Sequence, residues 1–72
     1  MLYSYSPFKG LSKEELKRLY EDRKQAQEQG LRPRSFDPFI KEVQNNFMMS
    51  FGDAWRYTDT VFLEEIAQKY FA

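Results

Sequence analysis

Between Ser35 and Phe51 the chain reads SFDPFIKEVQNNFMMSF, and Phe36, Phe39, Ile40, Val43, Phe47 and Phe51 recur in it at steps of three and four. That spacing places all six on one face of an α-helix. A helix with so phenylalanine-rich a stripe is not stable alone in water, so the segments on either side have to cover it. The chain has 72 residues, enough for one small helical domain over 1–72, and a domain of this size buries only about 60% of its unfolded surface. Thirteen aromatic residues (seven Phe, five Tyr, one Trp) compensate, since each removes on the order of 150–250 Å² from water. They also outnumber what one small core readily hides. A surplus left outside marks a surface for another protein or for a second copy of the chain.

The segment before the stripe carries the sharpest local signal. Ser12 and Glu15 have the S-x-x-E spacing of a capping box, with Leu11 and Leu16 at the flanking staple positions, so a helix starts there. Lys13 to Gln29 is built of helix formers. Gly30 supplies the left-handed residue that ends it, Leu31 reaches back to Ala26, and Pro33 prevents resumption. The apolar face is short, Leu16, Leu19, Tyr20 and then Ala26, while EDRKQAQEQ is polar nearly all round and reads as a solvated helix end. Before Leu11, the aromatics Leu2-flanked Tyr3, Tyr5 and Phe8 alternate with Ser4, Ser6 and Pro7, the pattern of an extended arm over residues 1–10 that folds back on the core.

After the connection GLRPRSF, Asp37 before Pro38 reads as an N-cap followed by a proline at the first helical position. Beyond Phe51 two courses are open. Gly52 ends the helix and the cap-prone cluster Thr58, Asp59, Thr60 starts a third, or the helical step Phe47, Phe51, Trp55, Thr58, Phe62, Ile66 runs straight on through the glycine. The break is the better reading, because three short helices close around one core whereas one long helix needs a second chain to bury it. The last segment, TVFLEEIAQKYF, puts Phe62, Leu63, Ile66, Ala67 and Tyr70 on one face, with Glu65 and Lys69 paired four apart opposite. The sequence therefore predicts an all-α three-helix bundle, helices 12–29, 37–51 and 59–71, with an extended N-terminal arm.

The chemistry is defined largely by what is missing. With no cysteine and no histidine, disulfides, thiolate or Ser-His-Asp catalysis and Cys/His metal sites are excluded. Adjacent carboxylates at Glu14/Glu15, Glu21/Asp22 and Glu64/Glu65 diverge by about 100° on a helix, so none is a converging acid–base dyad. The three glycines are punctuation rather than a phosphate loop, and no loop has the acidic spacing of a calcium site. No enzyme, cofactor or metal is expected. Neither a signal peptide nor a membrane span is visible, and the want of cysteine suits the cytoplasm.

Eleven basic and eleven acidic residues cancel, but unevenly. Residues 9–34 carry a net +3 and residues 35–72 a net −3, so the halves attract each other, within one chain or between two. Two functional classes remain. The first is a protein-interaction module, an adaptor, regulator or inhibitor that binds another protein or itself through Tyr3, Tyr5, Phe8, Met48, Met49, Trp55, Arg56 and Tyr57, the residue types that dominate interface anchors. The second is a helix-turn-helix-like nucleic-acid binder, with Arg32 and Arg34 on phosphates and Lys41, Gln44 and Asn45 on the outer face of the second helix. Neutral charge and a connection longer than that motif uses count against the second.

Overall fold

Helix α1, Lys13–Glu28, opens on the capping box that the sequence announces. The Glu15 amide donates to Ser12 Oγ at 3.2 Å and the Ser12 amide to Glu15 Oε1 at 3.2 Å, satisfying two donors that the first turn leaves orphaned. It ends in a Schellman arrangement. Gly30, at φ +71°, donates to the Gln27 carbonyl at 3.1 Å, and Leu31 to the Ala26 carbonyl at 2.8 Å, a backbone course that a Cβ would oppose. The computed structural model describes residues 5–71, and the remaining helices are α2, Asp37–Phe47, and α3, Phe51–Phe62, which continues without a break into a π-helix, Leu63–Phe71.

The fold is the expected small all-α arrangement of three helices, with no strand among the described residues, but two of the predicted boundaries move. α2 stops at Phe47, four residues early, because Met48 takes the left-handed conformation (φ 54°, ψ 41°). Ser50 then caps α3, its Oγ accepting from the Asp53 amide at 3.2 Å. Gly52 consequently lies inside the first turn of α3 and ends nothing. The cluster at Thr58 to Thr60 does not start a helix either, because each of its side chains is engaged elsewhere. Thr58 and Thr60 hydroxyls donate back to the carbonyls of Ala54 (2.7 Å) and Arg56 (2.8 Å), the mid-helix alternative to capping, and Asp59 is bound by Arg23. At α2, Asp37 is the first helical residue rather than the cap. A single 3-10 turn, Arg34–Phe36, precedes it, and its carboxylate is held by Arg32.

The stripe does what its spacing requires over most of its length. Phe36, Ile40 and Val43 are fully buried against Ala54, Thr58, Val61 and Phe62 of α3. Leu16 and Leu19 close the core from α1, and Ile66 and Ala67 from the π-helix. Phe8 enters from the N-terminal side at 4% exposure, its ring 4.8 Å from Phe39, 5.2 Å from Phe62 and 5.6 Å from Phe36. The arm that carries it is not extended throughout. Residues 7–10 form a turn, with Gly10 at φ +84°, which is how the chain turns Phe8 inward before α1 begins. Leu2, Tyr3 and Ser4 lie outside the described residues.

The polar half of α1 is solvated over most of its surface, with Glu21, Lys24, Gln25, Gln27, Glu28 and Gln29 exposed, but two of its residues tie it to the rest of the fold. Asp22 accepts from the Ser35 amide at 3.2 Å and from its hydroxyl. Arg23 reaches Asp59 on α3 while also donating to Gln27. Both Arg23–Asp59 and Arg32–Asp37 join the basic half of the chain to the acidic half, so the attraction implied by the charge distribution is realised within one chain.

Candidate functional site

The eight residues marked for binding do not form one surface. Tyr3 lies outside the described residues, and Phe8 is part of the core. On α3, Trp55, Arg56 and Tyr57 are consecutive and so point about 100° apart. Trp55 is half-buried with its ring edge-on to Phe36 at 5.9 Å, on the side where Arg23, Leu31 and Asp59 enclose a small cavity of about 190 Å³. Arg56 faces solvent. Tyr57 turns the other way, toward Tyr5 and Phe47.

What the fold does bring together is Tyr5, Phe47 and Tyr57, with Met48 beside them. Phe47 is the point where the stripe leaves the core, and the residue is 43% exposed. Two tyrosines clamp it. Tyr5 meets it edge-on at 5.6 Å and Tyr57 at a tilt of 43° and 5.5 Å, while the Tyr57 hydroxyl donates to the Tyr5 carbonyl at 2.8 Å. The Tyr5 hydroxyl donates to the Glu42 carboxylate. That hydrogen bond, then desolvation and the charge of Glu42, raise the Tyr5 phenol above its ordinary value. The three rings thus form a braced platform rather than loose surface side chains.

Met48 projects next to this platform with 91% of its surface exposed. Two local rules are broken at this one residue. A left-handed backbone costs an L-residue about 1–2 kcal/mol, and glycine is the usual occupant of such a position after a helix. A large apolar side chain displayed to water gains nothing from folding. Met49, by contrast, is partly buried against the core. Phe47 was hidden from sequence reading because its spacing assigns it to the core stripe. The signal that would have exposed it is Ser50 with Asp53 three residues later, a cap spacing that places the helix break before Phe51.

The residues assigned to nucleic-acid reading are split. Arg32 is engaged, Nε to Asp37 Oδ1 at 2.8 Å and Nη2 to Oδ2 at 3.3 Å, and its guanidinium lies 4.9 Å over the Phe51 ring. The Arg32 hydrogen bond holds the Asp37 carboxyl below its ordinary value. Arg34, Lys41 and Asn45 are exposed and Gln44 is half-buried. No cluster of three or more Asp and Glu residues able to hold a metal occurs among the described residues, and no described helix is long and apolar enough to cross a membrane. Comparison with protein families, with curated proteins and with solved structures finds no match.

Proposed function

We infer that this chain is a non-enzymatic protein-interaction module, an adaptor, regulator or inhibitor, that docks through the corner between α2 and α3. Met48 carries the reading. A methionine held left-handed and 91% exposed opposes both backbone preference and burial, and such local violations concentrate where function requires them. The thioether is flexible and polarizable, suited to filling an apolar pocket on a partner. The Tyr5–Phe47–Tyr57 platform supplies rigid aromatic area around it. The absence of cysteine suits a reducing, cytoplasmic setting.

The reading is tested by placing a photo-crosslinking residue at position 48 and, separately, at Gln25, an exposed position on α1. A docking corner captures a defined partner, or a second copy of the chain, from position 48 and not from position 25. Equal capture from both positions, or none from position 48, would sink it.

A further inference from the structure

Nine consecutive residues, Leu63–Phe71, are wound as a π-helix. Such winding is rare, ordinarily a single turn set into an α-helix, and is often found at functional sites. Nothing local asks for it. Leu63, Glu64, Glu65, Ala67, Gln68 and Lys69 are ordinary α formers, and Glu65 and Lys69 stand at the spacing an α-helix pairs.

The cause is therefore tertiary. π winding turns less per residue than α winding, which brings Phe62, Ile66, Ala67 and Phe71 onto one covered face with Tyr70 at its edge. Phe62, Ile66 and Ala67 are buried, and the Phe71 ring stacks on Tyr20 of α1 at 4.7 Å and 21°. Tyr70 is left 46% exposed. With the four-residue step of an α-helix the row would run Phe62, Ile66, Tyr70, and Phe71 would turn away. The sequence pattern favours that second row.

We propose that the C-terminal helix is a two-register device, in which π and α windings exchange Phe71 and Tyr70 on the face of Tyr20. The π register is held by the Phe71–Tyr20 stack and opposed by the α preference of the segment. It is opposed also by Glu64 Oε2 and Glu65 Oε1, which are shielded from solvent with no hydrogen-bond partner, a state that costs free energy. Rewinding rotates every side chain after Phe62, and with them one wall of a broad groove. That groove holds about 670 Å³ over a floor of Phe8, Leu11, Leu16 and Ile66, with Glu64, Glu65 and Tyr70 along the moving wall. The register thus sets both which aromatic faces solvent and the shape of the groove.

The test is nuclear Overhauser spectroscopy on the full chain and on Phe71→Ala, Tyr20→Ala and Tyr70→Ala. In the wild type, i,i+5 connectivities over 63–71 and a Tyr20–Phe71 ring contact are expected. Phe71→Ala removes the ring that rewards the π winding, so i,i+4 connectivities and a Tyr20–Tyr70 contact should replace them. Tyr20→Ala should also release the π pattern, while Tyr70→Ala should leave it in place. If Phe71→Ala does not fold, Phe71→Leu keeps apolar bulk without the stack and should show the same exchange. Only i,i+4 connectivities in the wild type would overturn the proposal. So would an unchanged i,i+5 pattern in Phe71→Ala, or a segment that frays there with neither pattern, since the α register would then not be an available state.

Discussion

Arg23 and Asp59 stand thirty-six residues apart and meet side by side, Nε to Oδ1 at 2.6 Å and Nη2 to Oδ2 at 3.1 Å. The pair fastens the polar half of α1 to α3 at a place where α1 offers little apolar surface. With side-chain exposures of 17% and 21%, it is shielded well beyond an ordinary surface pair. Asp59→Asn keeps the shape and removes the charge, and should cost about 1.5–3 kcal/mol, the range for hydrogen bonds to charged groups. Urea denaturation of Asp59→Asn, Arg23→Gln and the double variant gives the coupling directly. A coupling near zero would mean that α1 is held by its leucines, the Tyr20–Phe71 stack and the Asp22–Ser35 hydrogen bonds without help from this pair.

Gly52 separates the two courses that the sequence left open. It lies in the first turn of α3, without positive φ, and a Cβ built there meets nothing within 4 Å. Gly52→Ala should therefore stabilise the fold by about 0.4–1 kcal/mol through the unfolded chain. A glycine ending a helix in the left-handed region would give the opposite sign, so the denaturation midpoint decides the matter.

Met48→Gly should likewise stabilise, by roughly 0.5–1 kcal/mol after the entropy of glycine is set against the relief of a left-handed backbone. The same variant should lose docking. Stability rising while binding falls is the signature expected of a residue retained for a partner, and a loss of stability would instead assign Met48 a structural role.

Phe8→Ala removes a buried ring in contact with three others and should cost about 3–5 kcal/mol. Against a total stability of about 5–15 kcal/mol for a natural domain, that removes a large share of what holds so small a chain and brings it close to half-unfolded at the lower end of the range. Circular dichroism shows the loss directly. A folded, unshifted variant would place Phe8 outside the core.

Two groups predict the pH response. Asp37 is lowered from 3.8 by Arg32, so the folded state favours its charged form, and its contribution is present above the ordinary value and lost as pH falls through the folded one. Tyr5 is raised from 10.0 by Glu42, so its contribution is present below the ordinary value and lost as pH climbs through the folded one. Melting temperature should show a smaller acid decline in Asp37→Asn and a smaller alkaline decline in Tyr5→Phe than in the wild type. Parallel curves for variant and wild type would disprove the assignment.

Local sequence signals specify the start and end of α1, the helical class of the fold, and the burial of Phe36, Ile40 and Val43. The capping box, the Gly30 stop and the apolar spacing act through neighbours in the chain, so their physics is legible locally. The Ser50–Asp53 spacing marks where α3 begins, but the stop of α2 at Met48 came from the packed fold, since a methionine in the left-handed region follows no local preference. The tertiary structure also decided that Thr58 to Thr60 continue a helix, because the partner of Asp59 is Arg23, thirty-six residues away. The candidate site was legible only in part: Tyr5, Met48 and Tyr57 were named, but Phe47 was assigned inside and Trp55 and Arg56 were grouped with side chains that point elsewhere. The C-terminal winding belongs to the same class. A local α pattern yields there to one ring, Phe71, stacked on Tyr20 fifty-one residues earlier, because contacts between distant segments add free energy that no periodicity along the chain can register.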